Sequence, residues 1–302
     1  MYIPPLSRLS SAADLLSYLD RNKVEWAIGF YSLPTNKLRS LTAAKAEVII
    51  RGTRSRVIPL ITPIDFELGQ YNELVLRQYL QPQGLLQGVG EIGLYHPESL
   101  SVTFDSPVMQ TVFQAVNEMK GIVMIHPRNP RQAPPTELAE IERSVQKYPD
   151  AIFLFHSDID NLKLVVQLMP KYPNVYFTMD ATHSIFYQGF NPLMGYNFLY
   201  PEGGDNPGHG NAESFLADVN RIGSDRLVEQ SFAKVAPLIQ QYPDRIMWGT
   251  DLYEPWHFEE PVTDVVISLS RQFIGRLPDD IQEKYAYQNA QRVFGRFLTP
   301  NP

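Results

Sequence analysis

The stretch GIVMIHPRNP, residues 121–130, runs an unbroken apolar segment into a histidine, His126, and then into a turn. Its apolar residues are consecutive rather than alternating. A strand built from them is buried on both faces, as in a parallel sheet covered by helices. Six further runs of this kind occur: VEWAIGFYS (24–32), RVIPLIT (56–62), LLQGVGEIGL (85–94), AIFLFHS (151–157), NVYFTMD (174–180) and DRIMWGTDL (244–252). Helix-like segments separate them. In SSAADLLSYLDRN, Ser10 or Ser11 can cap the first amides and Leu15, Leu16 and Leu19 form a stripe. SPVMQTVFQAVNEMKG has Gly121 as its stop, PTELAEIERSVQKYP follows, and 259–276 and 279–297 read as closing helices.

Repeated β-α units leave two architectures, an open doubly wound sheet or a closed barrel. The first βα turns contain no GxGxxG or GxxxxGK[ST], so the nucleotide-binding open sheets lose weight. The expected fold is an α/β (β/α)8 TIM-type barrel forming one domain over residues 1–302, with its first strand missing or rudimentary. Only MYIPPLSRL precedes the first helix, and its Pro-Pro pair suits neither strand nor helix interior. The spacing breaks once, where more than sixty residues separate NVYFTMD from DRIMWGTDL. A long insertion, about 183–225, is expected between strands 7 and 8. It reads either as a surface excursion or oligomer contact, or as a lid over the strand ends.

Composition narrows the function. The chain has 302 residues, a formal net charge of -7 and no cysteine. Disulfides, thiolate zinc sites and cysteine nucleophiles are excluded, and a reducing compartment is favoured. The acidic balance argues against nucleic acid and anionic membranes as partners. No apolar run reaches the ~18 residues of a membrane span, and the N-terminus lacks the pattern of a signal peptide. The expectation is a soluble cytoplasmic protein, a small-molecule substrate and possible homo-oligomers.

His126 has counterparts at other strand ends: His156 in AIFLFHS, Glu91 in LLQGVGEIGL and Asp251 in DRIMWGTDL. In a barrel these ends converge on one mouth, where active sites form. Two imidazoles and two carboxylates suit a divalent metal such as zinc, iron or manganese. Each residue alone also has a bland reading, as a hydrogen-bonded strand end or a helix cap. Arg128 could hold a substrate carboxylate or form a surface ion pair. His183 and His257 could face substrate, and Tyr253 and Trp256 could line a pocket or pack locally. His96 and His209 read as ordinary loop residues.

IVMIHPRN, IFLFHSD, IMWGTDLY and the closing NAQRVFG (289–295) resemble the amidohydrolase superfamily, in its amidohydrolase-related branch of metal-dependent hydrolases and decarboxylases. The resemblance follows strand order along nearly the whole chain. It implies that His126, His156 and Asp251 belong to a metal site, most simply zinc, and that Asp251 also takes the proton of an attacking water. GEIGL resembles the fourth-strand motif of the TatD-like nucleases, which implies a metal-ligand role for Glu91. The family's first-strand His-x-His has no counterpart in this sequence. Either the chain starts late or the metal is weakened or lost. The expected function is metal-dependent hydrolysis of a C–N or C–O bond in a small molecule. The alternatives are a decarboxylase, a catalytically silent binding barrel and a nuclease.

Overall fold

Complete burial shapes the strands. The computed structural model describes residues 11–31, 48–61, 64–65, 70–71, 80, 84–94, 102–128, 133–156, 162–180, 185, 211–252 and 255–298. All seven apolar runs form strands: β1 (Ala27–Tyr31), β2 (Val57–Ile61), β3 (Gly88–Gly93), β4 (Ile122–His126), β5 (Ile152–His156), β6 (Val175–Asp180) and β7 (Ile246–Gly249). Strand order follows chain order, and the pairings of β1 with β2, β2 with β3, β3 with β4, β4 with β5 and β6 with β7 are parallel. Every residue of β2, β4 and β5 is buried.

The helices are α1 (Ala12–Arg21), α2 (Pro107–Glu118), α3 (Glu137–Lys147), α4 (Leu162–Leu168), α5 (Ala212–Ile222), α6 (Ser224–Gln241), α7 (Glu260–Ile274), α8 (Asp279–Glu283) and α9 (Asn289–Phe294). Among the described helices none is long and apolar enough to cross a membrane. By its internal contacts the chain divides into two units. One comprises Tyr2–His156, Val166–Tyr176 and Arg296–Pro302. The other comprises Met1, Ser157–Val165 and Phe177–Gly295.

In the first unit, α1 is capped by Ser11, whose Oγ accepts the Asp14 amide at 3.2 Å. Its buried stripe is Leu15, Tyr18 and Leu19, with Tyr18 in the role that the sequence assigns to Leu16. The face of α2 that carries Val108, Met109, Val112, Phe113 and Val116 is buried. Phe113 meets Phe153 of β5 edge-on at 5.5 Å. Burying each such ring is worth roughly 1.5–3 kcal/mol.

Asparagines hold the strand entries. Asn117 Oδ1 accepts the amides of Asp150 and Ala151 ahead of β5, at 2.9 and 3.2 Å. The Asn174 amide donates to the carbonyls of Val145, Tyr148 and Ala151, at 3.1 to 3.2 Å. In the second unit Asn289, the first residue of NAQRVFG, donates to the carbonyls of Pro243 and Ile246 at 2.7 and 2.9 Å. Tyr285 donates its hydroxyl to the Met179 carbonyl at 2.7 Å. The stretch 279–297 is helical throughout, passing from α8 through a π turn (Lys284–Gln288) to α9 and a closing 3-10 turn.

The expected rudimentary first strand lies outside the described residues, as does most of the expected insertion. The part of 183–225 nearest its end forms α5 and the start of α6.

Two substitutions test this architecture. A Cβ on Gly88 would stand 2.0 Å from the Ile122 carbonyl oxygen, the register partner of Gly88 across β3 and β4. Gly88→Ala is expected to lower the unfolding free energy by about 1–3 kcal/mol or more in urea titration. Asn289→Ala strips the half-buried Pro243 carbonyl and the buried Ile246 carbonyl of their donor, an expected loss of about 1–3 kcal/mol, read as a fall in thermal midpoint.

Candidate metal centre

The site begins with a fault in the β3 ladder. Gly88 pairs with Ile122 and Val89 with Val123, but Ile92 pairs with Ile125 and Gly93 with His126. Two residues, Gly90 and Glu91, therefore face the single residue Met124, which makes a β-bulge. Paired residues of parallel strands point to the same face. In unbroken register Glu91 would lie level with Ile125, on the face opposite His126. The extra residue moves it to the face of His126. Gly90 permits this with φ 151°, and a Cβ there would sit 2.8 Å from that of Met124.

The two histidines meet by register. Ile125 pairs with Phe155, and the next residue on each strand is His126 or His156. Their ring centroids are 4.6 Å apart. Nδ1 of His126 lies 2.9 Å from Glu91 Oε1, and Nδ1 of His156 lies 3.3 Å from the same oxygen. His156 is fully buried and His126 nearly so.

Burial works to raise the Glu91 carboxyl. Hydrogen bonds from His126 and His156, reinforced by their charge when protonated, outweigh it and hold the group well below the ordinary carboxylate range. An ionised carboxylate only accepts, so without a metal each facing Nδ1–H donates to it, and a ring nitrogen that ligates a cation must be free of its proton. Among the described residues, Glu91, His126 and His156 each offer one ligand atom, all within 4.8 Å of one another. One carboxylate oxygen and two imidazole nitrogens fit zinc, whose catalytic sites use three protein ligands of these types.

Arg128 follows His126 by two residues. It is 1% exposed, and its guanidinium donates to Glu137 Oε1 at 2.7 Å and to the Val102 carbonyl. The pair is buried, unlike the surface ion pair that the sequence allows. In the second unit Asp251 follows β7 by two residues, is 8% exposed and adopts φ 51°, a left-handed conformation in which Asp is enriched. His257 is fully buried on the turn Pro255–Phe258, with its ring 4.2 Å from that of Trp256. Trp256 in turn packs near Phe215 of α5, at 6.0 Å. His183, His96, His209 and Tyr253 lie outside the described residues.

Sequence reading missed Glu137 and Glu140. The signal was available, because both fall on the helical stripe of Ile141, Ser144 and Val145, and all five residues are buried. Acidic residues on an apolar stripe need partners inside the protein. Glu140 finds them in the Phe104 amide at 3.2 Å and the Thr136 hydroxyl at 2.7 Å.

Residues 86–296 match the family described as amidohydrolase. None of the curated proteins matches the chain. Among solved structures, the chain is similar to a probable 2-pyrone-4,6-dicarboxylic acid hydrolase from Acinetobacter baumannii with citric acid bound. That similarity has a TM-score of 0.55 and 15% identity, over 94% of this chain and 89% of the other. It is also similar to an amidohydrolase from Burkholderia multivorans with bound zinc, with a TM-score of 0.57 and 10% identity, over 94% and 88% of the two chains. At these identities the likeness is one of fold.

The buried pair gives a pH test. Burial raises the Glu137 carboxyl above its ordinary value of 4.5, and the hydrogen bond and charge of Arg128 offset this in part. The folded protein then holds this proton more tightly than the unfolded chain, so stability falls as pH rises from the unfolded value through the folded one. The difference in urea midpoint between wild type and Glu137→Gln is expected to shift against wild type across that rise.

Proposed function

Since the chain belongs to the amidohydrolase family, we propose that it is a metal-dependent hydrolase acting on a C–N or C–O bond of a small molecule. The observation that carries this reading is the convergence of Glu91, His126 and His156 from three successive strands. These residues would hold a divalent cation, and zinc is the choice that their chemistry favours. The zinc bound by the similar Burkholderia protein supports that choice. When bound, such an ion would supply polarisation of the scissile group and a lowered pKa for a water molecule.

The protein's own contribution is to place and to shield. His126 and His156 bring nitrogen donors from strands whose every residue is buried. Glu91 supplies negative charge that is ionised throughout the neutral range. Asp251, matched to the family through IMWGTDLY, is proposed as the group that would take the proton of the attacking water. His257 and His183 are proposed to shape substrate selection. The citrate in the Acinetobacter structure makes small carboxylated compounds the first to test. The proposed location is the cytoplasm, in keeping with a chain that has no cysteine.

Zinc titration of the metal-stripped chain, followed by calorimetry, is expected to give one ion per chain. His156→Ala should weaken binding by more than about 100-fold, beyond the range for groups behind the ligands. Hydrolysis of a panel of carboxylated lactones and amides should stop with chelation and return with zinc. Asp251→Asn should lower kcat by about 10²–10⁴-fold. Absence of stoichiometric metal in wild type would overturn the reading in favour of a silent binding barrel. Product formed with loss of carbon dioxide would replace hydrolysis by decarboxylation.

A further inference from the structure

We propose that Arg128 is a positioning residue for His126, and that its buried pair with Glu137 fixes the exit of β4 and the imidazole it carries. This rests on the metal reading above and gives Arg128 a role other than gripping a substrate carboxylate.

The two residues are close along the chain. Only Pro127 separates His126 from Arg128, and its ring fixes its own φ. A force on the Arg128 backbone therefore reaches the histidine with little slack. The guanidinium is tied at two points on different segments: Glu137 in the first turn of α3, and the Val102 carbonyl ahead of α2.

Those anchors are themselves joined. The Phe104 amide, two residues from Val102, donates to Glu140 Oε2, and Glu140 is one helical turn from Glu137. The path closes into a ring: the β4 exit, Arg128, residues 102–104, Glu140, α3, Glu137 and back to Arg128. The helix is fastened further along, where Gln110 of α2 donates to Ser144 of α3 at 3.2 Å and to the Phe104 carbonyl at 2.9 Å.

Energetics favour position over stability as the reason for this pair. Taking two charges out of water cancels much of their attraction, and an apolar pair of similar volume often stabilises a fold as well or better. A buried pair beside a strand end is useful for its directed geometry, which apolar packing lacks.

Position and folding are separable by substitution. Arg128→Met/Glu137→Leu replaces the pair by apolar side chains and should keep or raise the urea midpoint. Zinc affinity should nevertheless fall about 10–100-fold, as for groups that orient ligands. In the metal-free protein, the nitrogen resonances of the His126 imidazole should also move. Asn174→Ala, at the opposite end of the strands, serves as the control: it should lower the midpoint and leave zinc affinity and those resonances unchanged. A folded double variant with wild-type zinc affinity and unmoved resonances would overturn the proposal. If the double variant does not fold, Arg128→Lys keeps the charge and loses the fork. Weaker zinc binding and moved resonances in that variant support the positioning role, and wild-type values for both overturn it. If wild type binds no zinc, the metal reading fails separately, and the imidazole resonances alone decide the positioning role.

Discussion

Strands buried on both faces leave polar groups few places to stand. In β4 and β5 every residue is out of water, and each strand stays apolar until its last position. That last position is a histidine in both, and the register that pairs Ile125 with Phe155 brings the two rings side by side. Two buried imidazoles need hydrogen-bond partners, and the Glu91 carboxylate meets both through one oxygen. The grouping follows from a parallel sheet meeting the requirement that buried polar atoms be paired.

The same requirement explains the pieces that hold the sheet in place. Parallel strands begin where a turn hands the chain back from a helix, and the carbonyls and amides there lie beyond the regular ladder. Asn117, Asn174 and Asn289 satisfy them with side chains. Each bond is worth about 1 kcal/mol net, but leaving the buried Ile246 carbonyl unmet would cost more, so Asn289 is worth more than its bond count indicates.

All seven strands were legible because consecutive apolar residues bounded by turns leave little ambiguity when they recur. His126 and His156 were legible for the same reason, since a polar residue closing an apolar run stands out. The grounds for Glu91 were harder to see. Alternation along GVGEIG sets it on the wrong face, and only the extra residue in the ladder corrects this. No rule of composition announces that bulge, although two glycines beside the glutamate mark a backbone that approaches its neighbour closely. The sequence shows the chemistry of Arg128 but not its burial, because the acidic stripe on α3 that receives it lies nine residues further on. Tyr18 took the buried place of Leu16 because i, i+3 and i+4 spacing admits either until the neighbouring surface is known.

The bulge also divides β3 into two stretches with separate duties. Before it, Gly88 and Val89 lock to β4 through close backbone approach; after it, Ile92 and Gly93 resume pairing one step out of phase. A strand interrupted in this way insulates its chemistry from its architecture. A substitution at position 91 changes the side chain set beside His126 and His156, while the flanking pairs keep the strand in register.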